Sequence, residues 1–153
     1  MKKVNVISDV QLKYTKTDLP TVKVISSDTA ATVARETIPQ DEIAHRECFG
    51  LLLLNRANKI LHKCIVATGG LNGVLVDPRF VMQYAILGNA AGIILFHNHP
   101  SGEVKPSECD KGLTKKIKEI CELLDITLLD HLIISGYSDA MPNYFSFADE
   151  GLI

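Results

Sequence analysis

Residues 90–97, AAGIILFH, are apolar without a break until the histidine that closes them, and Asn98, His99, Pro100, Ser101 and Gly102 follow at once. A membrane helix needs about 20 apolar residues, so the run is too short to span a bilayer. Its Ile, Leu and Phe content and its length predict a buried strand rather than a buried helical fragment. An apolar stretch of strand length lies at 48–54, and strand-like stretches lie at 59–68 and 126–135. The turn residues Asn55, Arg56, Ala57 and Asn58 separate the first two and predict a hairpin.

Helical signals alternate with these runs. Ser27 reads as the cap of a helix over 28–38 that Pro39 ends. Asp77 and Pro78 read as the cap and first position of a second helix, closed by Gly88 and Asn89. Leu113, Ile117, Ile120, Cys121 and Leu124 recur at helical spacing and predict a third helix over 110–125. Residues 21–25 read as extended and 73–76 as a short strand. The expected fold class is therefore α/β (α+β), a mixed central sheet flanked by helices. Residues 1–22 read as a poorly ordered or extended N-terminal segment, and 23–153 as one domain. A chain of 153 residues suffices to bury a real core in one domain.

The formal charge of −2 provides no broad positive field to displace counterions from a phosphate backbone, so nucleic acid is not the default partner. Lys111, Lys115, Lys116 and Lys118 read as the solvated face of the third helix. The four cysteines show no C-x-x-C spacing, and no leader-like segment precedes the domain. Both features point to reduced thiols and a cytoplasmic location, without a membrane span.

The chemistry concentrates at the end of the run. Positions i and i+2 of a strand share a face, so His97 and His99 can turn two imidazoles towards one ion. Asp110 begins the next helix beyond a loop containing glycine and proline, and can offer a carboxylate to the same ion. Two histidines and a carboxylate with one position open is a catalytic pattern of metal ligation. Zinc suits these donors; iron, manganese and nickel match the residue types as well. Ser107 and Asp110 also fit a capping box, a reading that needs no metal and leaves His97 and His99 unexplained.

The stretch HNHPSGEVKPSECD resembles the JAMM signature of the JAB/MPN metalloprotease superfamily, H-x-H-P followed by six residues and S-x-x-D. ECFGLLLLN, DPRFVMQYAILGNAAGIILFHNHPSG, LDITLLDHLIIS and YFSFADEGLI are similar to the RadC-type branch, and the similarity covers about residues 22–153. Longer members carry a helix-hairpin-helix region ahead of this domain, so the expectation here is the short, single-domain form. The resemblance implies a JAB/MPN-like fold and one zinc ion per chain on His97, His99 and Asp110. It also implies a catalytic Glu47 and a helper Ser107. Glu47 is identified by the family pattern alone, since Glu42 and other acids lie close by. His131 matches a RadC-type feature too, but reads as a satisfied histidine in a buried strand.

The implied activity is hydrolysis of peptide or isopeptide bonds in a peptide or protein substrate. Zinc supplies hydroxide at neutral pH, Glu47 shuttles the proton, and Ser107 donates to the oxyanion. Two other readings compete: a metal-dependent nuclease or phosphoesterase connected with DNA repair, and a non-catalytic MPN-type binding module.

Overall fold

The computed structural model describes residues 21–70 and 74–153. Its elements are α1 (Ser27–Thr37), β1 (Cys48–Leu54), β2 (Ile60–Thr68), α2 (Pro78–Leu87), β3 (Gly92–His99), α3 (Glu108–Leu123), β4 (Thr127–Ser135) and β5 (Tyr144–Ser146). The strands form one mixed sheet in the order β2-β1-β3-β4-β5. β1 runs antiparallel to both β2 and β3, β3 runs parallel to β4, and β5 returns antiparallel to β4. The α+β architecture read from the sequence is the one observed, and it is that of a JAB/MPN-like domain.

β1 and β3 lie inside the sheet, with helices on both faces, and this accounts for their unbroken apolar runs. Cys48, Leu52, Leu54, Ile94 and Phe96 pack against Ala30, Val33 and Ala34 of α1. The alternate residues Phe49, Leu51, Leu53, Ile93 and Leu95 pack against α2 and α3 through Val81, Ala85, Ile117 and Cys121. Each Val, Leu, Ile or Phe among them contributes roughly 1.5–3 kcal/mol by leaving water. Gly50 is required by this packing, since a Cβ there would stand 2.3 Å from the Phe96 ring and 2.6 Å from the Cys64 carbonyl.

Local signals hold closely. Asp77 caps α2 with Pro78 in its first turn, and Gly88 ends it. The hairpin turns through Asn58 at φ 56°. Among residues 21–25, Lys23 bridges Lys59, and Val24 donates to the Asn58 carbonyl at 2.8 Å. The expectation for the N-terminal segment otherwise lies outside the described residues. No helix among the described residues is long and apolar enough to cross a membrane.

Two expectations are corrected. Ser26, not Ser27, caps α1: its backbone is extended and its side chain accepts from the Thr29 amide, whereas Ser27 is already helical. The Ser27 hydroxyl donates instead to Asp149 at 2.5 Å. The described part of 73–76 is not a strand. Residues 74–76 lead instead into α2, and Val76 packs in the core cluster that holds Val81 and Met82 of that helix. The third helix also begins two residues earlier than its apolar periodicity, because its cap is Ser107.

The pairing of β3 with β4 holds one irregularity. Leu128 lies opposite Ile93, but Asp130 lies opposite Ile94, which leaves Leu129 without a partner. A bulge of this kind reverses the alternation of faces along the strand. Leu128 and His131 therefore lie on the α3 side of the sheet, whereas Leu129, Leu132 and Ile134 pack on the α1 side.

Candidate metal centre

β3 ends in His97, Asn98 and His99, and strand alternation sends the two imidazoles to the α3 side and the amide between them to the α1 side. His97 Nε2 lies 3.1 Å from His99 Nε2 and 3.4 Å from Asp110 Oδ1, and His99 Nε2 lies 3.9 Å from Asp110 Oδ2. Taking one donor atom from each residue, all lie within 4.8 Å of one another. Donors about 2.0–2.1 Å from a tetrahedral zinc ion stand roughly 3.3 Å apart, so these separations fit a shared cation.

The hydrogen bonds behind the three donors agree with that fit. His99 Nδ1 lies 2.6 Å from the Glu103 carbonyl, which can only accept. The proton of neutral His99 is thus on Nδ1, and Nε2 faces the centre as a lone pair. The loop presenting that carbonyl turns at Gly102, with φ +86°. Asp110 is the N3 residue of the α3 capping box, and its Oδ2 accepts from the Ser107 amide at 2.7 Å and the Ser107 hydroxyl at 2.6 Å. Capping therefore orients the carboxylate and leaves Oδ1 towards His97, so the two readings of Ser107 and Asp110 describe one arrangement.

His97 is buried, stacked beneath the Phe49 ring at 6.2 Å, and its Nδ1 lies 2.9 Å from His131 Nε2. Burial pulls its pKa down to about 4, against the upward pull of the Asp110 carboxylate. His131 is wholly buried and stacks on Phe147 at 4.8 Å; burial first, then the neighbouring imidazoles, holds it well below the usual histidine range. Both rings are neutral near neutral pH, as ligation requires of His97.

Glu47 reaches the same place from β1. The register pairs Phe49 with His97, so two residues before Phe49 the chain arrives at the level of His99, two residues beyond His97. Glu47 and the three donor residues line one cleft of about 950 Å³, with Phe49, Val76 and Leu113 among its apolar walls. Burial raises the Glu47 pKa; His99 lowers it, Asp110 raises it, and the hydrogen bond from the Val74 amide lowers it. Its backbone carbonyl accepts from Gly69 at 2.8 Å.

Two polar residues, Asn98 and Thr114, escape the sequence reading, and a third, His131, has a partner that it does not foresee. Asn98 is fully buried and ties down the segment before β1, accepting from the Cys48 amide at 2.7 Å and donating to the Ile43 and Arg46 carbonyls at 2.7 and 2.9 Å. His131 was read as a satisfied core histidine, which it is, but one of its partners is His97. Thr114, one turn beyond Asp110 in α3, touches both His131 and the Asp110 carbonyl at 2.6 Å. An amide between two candidate ligands on a buried strand was a usable signal for Asn98.

The family model described as the RadC-like JAB domain matches residues 24–152. A UPF0758 protein of Flavobacterium johnsoniae is 45% identical over 130 residues, covering 85% of this chain and 53% of that protein. UPF0758 proteins of Streptococcus gordonii and Streptococcus sanguinis are 43% and 41% identical over 72% and 69% of this chain, covering 48% and 44% of their own lengths. The chain thus spans about half the length of these curated relatives, and it belongs to the RadC-like JAB domain family.

Proposed function

We propose that this RadC-like JAB domain is a zinc-dependent hydrolase of peptide or isopeptide bonds. The observation that carries the reading is the convergence of His97 Nε2, His99 Nε2 and Asp110 Oδ1, three acceptor-type atoms from two elements, beside a cleft that also holds Glu47. Two imidazole nitrogens at 3.1 Å, one of them bare by its bond to Glu103, are an arrangement that a cation satisfies. Zinc held there supplies Lewis acidity, which polarises a carbonyl and acidifies water.

The chain's own groups divide the remaining work. Glu47 accepts a proton from the attacking water as its oxygen bonds to the carbonyl carbon, and delivers that proton to the amine as the C–N bond breaks. Its raised pKa suits both halves of this cycle. Ser107 holds Asp110 in place through its amide and hydroxyl. Turned towards the cleft, the same hydroxyl donates to the developing oxyanion. The substrate class is a peptide or protein, whose apolar side chains suit the Phe49, Val76 and Leu113 walls. The charge of −2 makes nucleic acid a poor partner.

The test is cleavage of a peptide library by zinc-loaded protein, with the Glu47→Gln variant as control. Products formed by wild type and not by the variant support the reading; equal products, or none from either, overturn it.

A further inference from the structure

We infer that Thr114 and His131 form a hydrogen-bond relay that fixes the proton of His97 on Nδ1 and so presents its Nε2 lone pair to the metal. The inference rests on the reading of His97 as a metal ligand, but the direction of the relay follows from the hydrogen-bond chemistry of neutral rings.

The chain of contacts begins at the Asp110 backbone carbonyl, which can only accept. Thr114 Oγ1 lies 2.6 Å from it, one helical turn on, and so donates. With its proton spent there, the same oxygen accepts from His131 Nδ1 at 2.6 Å. A neutral imidazole carries one N–H, so His131 Nε2 is an acceptor. It faces His97 Nδ1 at 2.9 Å, which must then hold the proton. His97 Nε2 is left bare, 3.1 Å from His99 Nε2 and 3.4 Å from Asp110 Oδ1. The opposite polarity would leave two oxygens facing each other at 2.6 Å with no proton between them, and would put the His97 proton where a metal ligand needs its lone pair.

Burial keeps the relay free of competing water: His97 and Thr114 are each 2% exposed and His131 is not exposed at all. Phe49 meets the His131 ring edge-on at 5.9 Å while Phe147 stacks on it. The relay also closes a loop, because its last acceptor is the backbone of Asp110, itself a ligand from a different element than His97. His99 is oriented separately by the Glu103 carbonyl. Thr114 and His131 are thus positioning residues, and losing such support typically weakens metal affinity 10–100-fold.

The experiment has two readouts. Nitrogen NMR of ¹⁵N-histidine-labelled, metal-free wild type assigns the tautomers, and competition with a chromophoric chelator gives zinc affinity for wild type, Thr114→Val and Thr114→Ser. Expected are Nδ1–H for both His97 and His131 in wild type, zinc affinity lowered roughly 10–100-fold in Thr114→Val, and recovery to within a few-fold in Thr114→Ser, which keeps the hydroxyl. An Nε2–H on either histidine in wild type overturns the relay, whether or not the variants fold. Equal zinc affinity in a folded Thr114→Val overturns its bearing on the metal. Absence of zinc binding in wild type overturns the metal reading instead, while the tautomers still decide the direction of the relay.

Discussion

The Asn98 side chain accepts a hydrogen bond from the Cys48 amide at 2.7 Å, which ties the residue between the two histidines to the residue after Glu47. One strand end thus aims two donors at the centre and, from its opposite face, anchors the backbone that carries the proposed base. Asn98→Asp would retain the acceptor for Cys48 but turn an oxygen towards the Ile43 and Arg46 carbonyls. We expect a stability loss of about 1–3 kcal/mol by urea denaturation, and turnover reduced more than zinc content. Unchanged stability and turnover would show that the anchor is dispensable.

Glu47→Gln preserves size and hydrogen bonding but removes the basic oxygen. The variant should fold, retain zinc and lose roughly 10²–10⁴-fold in turnover, measured by peptide cleavage. Full activity would refute the assignment of Glu47.

Zinc should bind at about one ion per chain and raise the melting temperature, since a ligand of the folded state alone stabilises it by mass action. His97→Ala, His99→Ala and Asp110→Asn should each abolish that rise in a thermal-shift assay. A persistent rise in all three would place the metal elsewhere.

Ser107→Ala removes the α3 cap and one of the two bonds that orient Asp110, at a cost of about 1 kcal/mol. Zinc affinity should fall with it, whereas Ser107→Thr should retain both. If the alanine variant lost turnover while keeping full zinc affinity, the oxyanion role would outweigh the orienting one.

Acid should destabilise the metal-free protein early. Burial depresses the folded pKa of His97 and His131 below the unfolded value, so between about pH 6.5 and pH 4 the unfolded chain binds more protons. Stability present above pH 6.5 is lost as the pH falls through that window, by up to about 1.4 kcal/mol per pH unit for each histidine. Denaturation midpoints across pH 4–7 provide the measurement, and His131→Phe should flatten the slope if it folds. A flat profile in wild type would show that neither ring is held neutral by the fold.

Much of the fold and of the site is legible along the chain, because the signals are local. Unbroken apolar runs mark β1 and β3, since strands covered on both faces need no polar residue, and mixed stretches rich in apolar residues mark β2 and β4. Asp77-Pro78 and Ser107 to Asp110 marked helix starts, because caps satisfy amides within a turn, and the two-residue spacing of His97 and His99 put them on one face. The resemblance to the RadC-type branch supplied Glu47, which no local rule distinguishes from Glu42. What lies across the sheet depends on contacts between residues distant in the chain. The register of β1 on β3 carries Glu47 to the level of His99, and the buried Asn98 amide holds that segment down. The unpaired Leu129 reverses the faces of β4, and only through that reversal does His131 meet His97 and Thr114. A bulge leaves no mark in the run 126–135, because most of β4 is buried and its apolar residues Leu128, Leu129, Leu132, Ile133 and Ile134 occupy both phases of the alternation.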